Sequence, residues 1–547
     1  MSAMRTVLSR AALLLALAAG IGSAATHYVA PAGNDRGRGT EKLPFRSLRR
    51  ALQSARPGDV VLVADGWYNE PVAPARGGTA NAPLTIRAQG KEAWFGGVVD
   101  VNDSRLTPVP DAPGCYSILQ SVPRGTQLWQ RFYDDILVDD PNHSRFHLKA
   151  SNGPAPMVQV GKLAELKTVE GSWMQAGTTL YLHLFPHQGE PADTTTDVRI
   201  VRQNGVDLQR GADYVVLEGL RFGSGGHIES SHAVLRDCSS YGQLGLGGSY
   251  NLVEGHLGCH ALFRKADGGY SWFTRGEGYA MHFQFANHCT VRNSRFCYSW
   301  NVGPNFNGDG GACENNLVES TWVHGAPNHS LSGTEAHNNT VRNCVVFNCQ
   351  DGPYFIACRN LTVENCTMFG GFFLREYPAW TPSGPYFVRN NIICGSLYFT
   401  NSEKAFLPGS KWEEGSIFEN NLFLIGGDTP KKMCFHTQPD GKMGPRLTLD
   451  KYMADAQAAN GAGYATMRNN IIVTSGFEDH LVGGRWKGET DEWNVHITSE
   501  KSAAYNAGVD VSFDKDYEGD PRKVGGAVDI GADESAGTKS EVPNATL

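Results

Sequence analysis

Beyond its first two dozen residues the chain has no long hydrophobic run, no paired C-x-x-C, no excess of basic charge and few charged residues of either sign. Each shortage removes a class of protein. A membrane-crossing helix needs roughly 20 apolar residues in a row, and no stretch after Ile21 approaches that. With Asp plus Glu at 56 against Lys plus Arg at 48, no bulk field recruits nucleic acid. A charged fraction of only 19% beside 41% hydrophobic residues argues against a disordered chain or a long solvated helix. The missing C-x-x-C pairs weaken any zinc-ribbon reading. Lysine is so scarce that Lys265 is the only one between Val201 and Thr400.

What is present points outward from the cell and toward β structure. Arg5 and Arg10 precede the apolar run Ala11 to Ile21, followed by Gly22, Ser23 and Ala24, the pattern of a secretory signal cleaved after Ala24 or Ala25. Its removal leaves 46 Lys plus Arg against 56 Asp plus Glu, so an acidic ligand would need a local cationic cleft. Export with 12 cysteines invites a disulfide reading. Yet Cys238, Cys344 and Cys366 share one repeat position with Leu220, Ser294 and Thr321, which suits small buried thiols better than bridges.

That repeat is the dominant signal. VVLEGLRF, AVLRDCSS, NLVEGHLG, CTVRNSRF, NLVESTWV, NTVRNCVV, LTVENCTM, YFVRNNII, SIFENNLF and ATMRNNII place Leu217, Leu235, Val253, Val291, Val318, Val341, Val363, Val388, Phe418 and Met467 at one site. The tightest copies are 18 residues apart and others carry an excess, which describes a fixed coil with variable loops. Short β-type units at this period bury their apolar residues only by stacking, so an all-β parallel solenoid is expected. Asn293, Asn343, Asn365, Asn390, Asn420 and Asn469 hold one register two residues later. Asparagine tolerates left-handed angles, so these residues predict a tight bend with a stacked amide ladder.

Upstream, HYVAPAGNDRGRGTEKLPFRSLRRALQSARPGDVVLVADGWYNE, His27 to Glu70, predicts a short helix with Phe45, Leu48, Ala51, Leu52 and Ala55 on one face. Pro57 and Gly58 end it, and Val60 to Val63 follows as the first strand. A helix over the open end would shield the strand edge there. This stretch resembles the amino-terminal cap of secreted bacterial right-handed parallel β-helix proteins of the pectate-lyase-like superfamily, and GGAVDIGADE, Gly525 to Glu534, resembles their closing phrase. The resemblance implies a right-handed β-helix and a carbohydrate-active protein. Within 93–199 the rhythm breaks, and GSWMQAGTTLYLHLFP predicts a β-hairpin with Trp173, Leu180, Tyr181 and Leu184 inward. The expected plan is a signal peptide to residue 25, cap and first coils over 26–92, an inserted β-rich subdomain over 93–199, coils with active-site loops over 200–475, and C-terminal coils and tail over 476–547.

Six segments can be overlaid as a further strand of successive coils: YAMHFQF, PNFNG, NHSLS, PYFIA, FFLRE and SLYFT. Alternation predicts Met281, Phe306, Phe355, Leu374 and Tyr398 inside, and His282, Asn305, Asn307, His329, Tyr354 and Arg375 outside as one polar patch. Such a patch suits β-elimination of a uronic acid, which needs the carboxylate neutralised, a base for the C5 proton and an acid for the leaving oxygen. Asn305, Asn307 or Arg375 would serve the first need. His282 or His329 would be the base and Tyr354 the acid. The loop His256 to His288 adds Arg264, Lys265 and Trp272 as substrate contacts, with Trp300 beyond it.

The sequence supports two further readings. Asp309, Glu335, Asp351 and Glu376 offer the carboxylate pair of a glycoside hydrolase, and an inert glycan-binding or surface solenoid needs no catalysis at all. Asp267, Asp309 and Glu335 leave calcium open as a cofactor, although no ligand-dense motif supports it. The Asn-Thr-Asp, Asp-Asp, Gly-His-Gly and Arg-Ile-Lys phrases of polygalacturonases and the Asp-Pro-His-Asp phrase of mannuronan epimerases are missing, which disfavours those activities. The expectation is a secreted or periplasmic monomer acting on an acidic polysaccharide, with no nucleic-acid partner and no membrane span.

Overall fold

The computed structural model describes residues 24–534 except 97, 101–105, 121, 123–126, 132–135, 140–146, 151–153, 185–197, 202–203, 224, 260–262, 265–269, 272–278, 298–302, 310, 377–382, 396, 402–411, 427–433, 438–442, 461, 482–494, 498–500 and 525. Three parallel sheets of 13, 12 and 9 strands line the molecule, and the chain visits them in turn. One coil, for example, takes Leu252–Glu254 into the first sheet, Leu257–Cys259 into the second and Met281–Gln284 into the third.

The aligned apolar sites are direct neighbours. Leu217 pairs with Leu235, Leu235 with Val253, and the column continues to Phe418 and Met467. It extends upstream through Ile86 to Val61. All are buried except Met467 on the last coil, which is half-buried. Each such side chain contributes about 1.5–3 kcal/mol by leaving water, and only the coils above and below provide the cover.

One residue later the side chains face outward and alternate in sign. Arg87, Glu218, Arg236, Glu254, Arg292, Glu319, Arg342, Glu364, Arg389, Glu419 and Arg468 stand level with one another on successive strands. Contacts include Arg236 to Glu218 at 2.8 Å, Arg292 to Glu254 at 2.7 Å and Arg389 to Glu364 at 2.6 Å. Burial alone would raise the Glu254 carboxyl, but Arg236 and Arg292 outweigh it and hold the group below its ordinary value.

The six predicted asparagines do adopt left-handed angles, φ 49 to 58°. Their amides, however, form few rungs among themselves. Asn390 donates to Asn365 at 3.2 Å, whereas most of the bonds run to a carboxyl-terminal strap: Asn390 to the Val509 carbonyl at 2.8 Å, Asn420 to Ala507 at 2.7 Å and Asn365 to Asp529 at 3.2 Å. A true amide ladder lies one position further on and inside, where Asn391 donates to Asn421 and Asn421 to Asn470 at 3.0 and 2.9 Å. Cys238, Cys344 and Cys366 occupy that interior corner as buried free thiols, as expected. Cys297 is disulfide-bonded, and Cys259 stands beside it in register.

The strap makes a second core. Val495, Ile497, Tyr517, Ile530 and Ala532 pack onto Val345, Phe347, Ile392, Leu422 and Leu424, which face outward from the second sheet. At the other end, Thr26–Val29 pairs with Val60–Val63, so it, not Val60–Val63, is the first strand. Its free edge is bonded by the segment ending at Phe45, through Tyr28 to Gly39 and Ala30 to Phe45. The helix Leu48–Ser54, capped by Ser47, packs Leu48 and Ala51 beside it. Edge protection therefore comes from an extended segment as well as the helix.

Between Phe95 and Val206 the chain builds mostly antiparallel sheets of its own, with one parallel pairing, Val158–Gln159 beside Ser172–Ala176. The hairpin Ser172–Ala176 with Thr179–His183 forms as expected, and Trp173, Leu180 and Leu182 bury together. Tyr181 was expected inward; alternation instead puts Leu182 there and leaves Tyr181 half-buried against a separate small cluster with Cys115 and Leu166.

Candidate functional site

The third sheet carries the candidate residues, and its register sets which of them meet. Phe283, Phe306, Gly333, Phe355, Leu374 and Phe399 stack as the inward column. A side chain at Gly333 would approach the Phe355 ring at 2.9 Å and the Cys358 sulfur at 3.2 Å, so this position is crowded for anything larger than hydrogen. Met281 is buried, but Phe283 is the residue level with Phe306. The outward column runs Asp207, His227, Gly245, His282, Asn305, Ser332, Tyr354, Phe373 and Tyr398. Tyr398 was expected inside; its true inward neighbour is Phe399.

His329 is not in this sheet. It ends the strand Trp322–His329 of the second sheet, level with Asp351 across a register shift, and Ser332 takes the expected place. Folding nonetheless returns its ring to the patch, stacked on Tyr354 at 4.0 Å and 14°. On the other side Arg375 donates from Nη1 to the Tyr354 hydroxyl, with its guanidinium 6.0 Å from the ring centroid. Phe373 and Tyr398, themselves stacked at 4.3 Å, extend the aromatic wall. Tyr354 is 8% exposed. Burial first, and then the Arg375 charge, push the His329 imidazole down to about 4, so the ring is neutral at neutral pH.

A second group lies further up the column. His282 Nδ1 meets Gln243 at 3.3 Å and its ring tilts against Tyr279 at 5.1 Å. Asn305, 2% exposed, is level with His282 and accepts from Ser332 Oγ at 2.8 Å. His282 stands three strand spacings from Tyr354, about 14 Å. The expected single patch is therefore two clusters on one face, and His282 cannot exchange a proton directly with Tyr354. Asn307 and Arg375 share the next outward column, likewise three strands apart.

The remaining candidates are scattered or fall outside the described residues. Asp309 is exposed and donates its backbone N–H to Asn307 at 2.9 Å; Glu335 is half-buried at a left-handed bend of φ 48°. Asp351 and Glu376 are placed as strand residues, and their side chains lie outside the described set. Arg264 is in a two-stranded ribbon with Tyr270–Ser271, again without a described side chain. Lys265, Asp267, Trp272 and Trp300 lie outside the described residues. Residues not anticipated are Ser332, Phe373 and Tyr398, together with Asp207 and His227 at the column's upstream end. Aligning the strands on Phe283 instead of Met281 turns Phe373 and Tyr398 outward, whereas Asp207 and His227 lie on strands upstream of the six segments.

Comparison with known proteins bears on the architecture. Over 94% of this chain and 99% of the other, the structure superposes on the XylC–xylose complex with a TM-score of 0.51 at 13% identity. The chain has the right-handed parallel β-helix fold. The β-helix also aligns with pectate lyase Pel9A at a TM-score of 0.42 and 13% identity, over 94% of this chain and 97% of that one. A family model described as a protein of unknown function (DUF1565) matches residues 31–75, the cap region. An uncharacterized Bacillus subtilis protein, YwoF, is 38% identical over 60 residues, which span 11% of this chain and 13% of that relative. Among the described residues no helix is long and apolar enough to cross a membrane.

Proposed function

We propose that this β-helix is an exported polysaccharide lyase that cleaves a uronic-acid-containing glycan by β-elimination at Tyr354. The observation that carries the reading is the triple contact of Tyr354 with the Arg375 guanidinium and the His329 imidazole on an outward face. In this scheme the substrate carboxylate pairs with Arg375. His329 takes the C5 proton, the C4–O bond breaks as the C4–C5 double bond forms, and the Tyr354 hydroxyl protonates the departing oxygen. The guanidinium beside the phenol then stabilises the charge left there.

The low proton affinity of His329 favours an acidic substrate. Arg375 is one of the two causes of that low value. A bound carboxylate screens the guanidinium and makes the imidazole a better base, whereas a neutral sugar does not. His282, Asn305, Ser332 and Asn307 would bind neighbouring sugar units along the column. A panel of alginate, pectin, ulvan, glycosaminoglycans and neutral glycans, read by near-ultraviolet absorbance and by new reducing ends, tests the proposal. Absorbance on an acidic member is expected. Reducing ends without absorbance would replace the lyase by a hydrolase, and retention on a glycan gel with neither signal would leave a binding protein.

A further inference from the structure

We infer that the carboxyl-terminal strap carries a divalent transition-metal site formed by His496, Glu518 and Asp533. One nitrogen and two carboxylate oxygens from these side chains all lie within 4.8 Å of one another, with His496 Nε2 to Glu518 Oε2 at 3.1 Å. That cluster is compact enough to be drawn onto a single ion with bonds of about 2.0–2.2 Å to nitrogen and oxygen. The ligands are far apart in sequence and come from three passes of the strap, so they converge only in the folded state.

A second observation separates this trio from an ordinary ion pair. The Glu518 side chain is only 5% exposed, and its other oxygen, Oε1, is buried without a hydrogen-bond partner. A carboxylate oxygen left so is costly unless something else pairs with it. Asp533 is already oriented by the Ile497 backbone N–H at 3.0 Å, the outer-shell support that fixes a ligating carboxylate. A cation would relieve the repulsion between these carboxylates.

The imidazole selects the class of ion. Calcium and magnesium favour all-oxygen shells, whereas one nitrogen with two carboxylates suits zinc or manganese. The location assigns the role. Tyr517 and Ile497 belong to the core that seats the strap on the second sheet, so an ion between them closes the strap over the late coils.

Calorimetric titration of the chelator-treated full chain with zinc chloride, with calcium chloride as a parallel arm, tests the site. One zinc per chain is expected, with affinity falling at least tenfold in Glu518→Gln and in His496→Ala, and a zinc-dependent rise in melting temperature that both variants lose. Cobalt substitution of the wild-type chain should give the visible absorption of a nitrogen and oxygen site, a readout independent of the variants' folding. Absence of one-to-one zinc binding, binding that is unchanged in both variants, or a preference for calcium would each overturn the inference.

Discussion

Exchanging Glu364 with Arg389 distinguishes a continuous charge ladder from a set of separate ion pairs. The Glu364 side chain is 4% exposed and accepts from Arg389 Nε at 2.8 Å and Nη2 at 2.6 Å. Glu364→Gln keeps the shape and loses the charge, at a cost of about 3 kcal/mol for a mostly buried, doubly bonded pair. If the pair acted alone, Glu364→Arg with Arg389→Glu would restore it. In the ladder the exchange instead sets an arginine beside Arg342 and a glutamate beside Glu419. Like charges roughly 5 Å apart at an effective dielectric near 20 repel by about 3 kcal/mol, and solvent on the outer face reduces that to roughly 1–2 kcal/mol per contact. The double variant should therefore remain about 2–4 kcal/mol short of wild type. At about 2.1 cal/mol/K per residue, a coil array of this size loses about 1 °C per kcal/mol, so calorimetry should show a deficit of about 2–4 °C. Recovery to within about half a degree would show that the pairs act independently and that the alternation has no collective effect.

Further expectations follow from burial and charge. Cys238, Cys313 and Cys358 are pushed up to about 12 and Cys289 to about 11 by burial. Ellman's reagent should therefore leave them unmodified in the native chain and titrate them after denaturation; rapid native reaction would contradict the solenoid packing. Because His329 sits at about 4 in the folded chain, below its ordinary value, its neutral form favours folding above the ordinary imidazole value, and that contribution is lost as pH falls from about 6.5 to about 4. Arg375→Gln should move the acidic limb of kcat/KM upward, yet leave it below the ordinary imidazole value because burial is the larger cause; an unmoved limb would remove His329 as the base.

Where the sequence and structure agree, and where they part, follows from how local each signal is. The apolar site of the ten phrases was legible because every coil must repeat it, and the register is the one the alignment implies. The left-handed asparagines were equally legible, since the bend is local. Their bonding partners were not, because the strap that receives Asn390 and Asn420 returns from more than 80 residues away. The alternation of glutamate and arginine is visible in the same phrases, but acquires meaning only when neighbouring coils are known to touch. In the third sheet the loops vary in length and aromatic residues stand on both faces, so the sequence alone does not separate Met281 from Phe283 or Tyr398 from Phe399 as the inward residue. His329 falls in the second sheet and not the third because its strand, like the adjacent Val345–Asp351, runs on well past the two or three residues of the other second-sheet strands.

The measurement that bears most directly on the proposed chemistry is near-ultraviolet product formation from an acidic polysaccharide by wild type, Tyr354→Phe and His329→Ala, with melting temperatures recorded alongside. Removing a proton donor or acceptor from the reacting centre should reduce the rate by about 100-fold or more in each variant, while both melt within a few degrees of wild type. Absorbance that persists at near-normal rate in both variants, or that no uronate glycan produces even with wild type, would contradict the assignment of this face as the site of elimination.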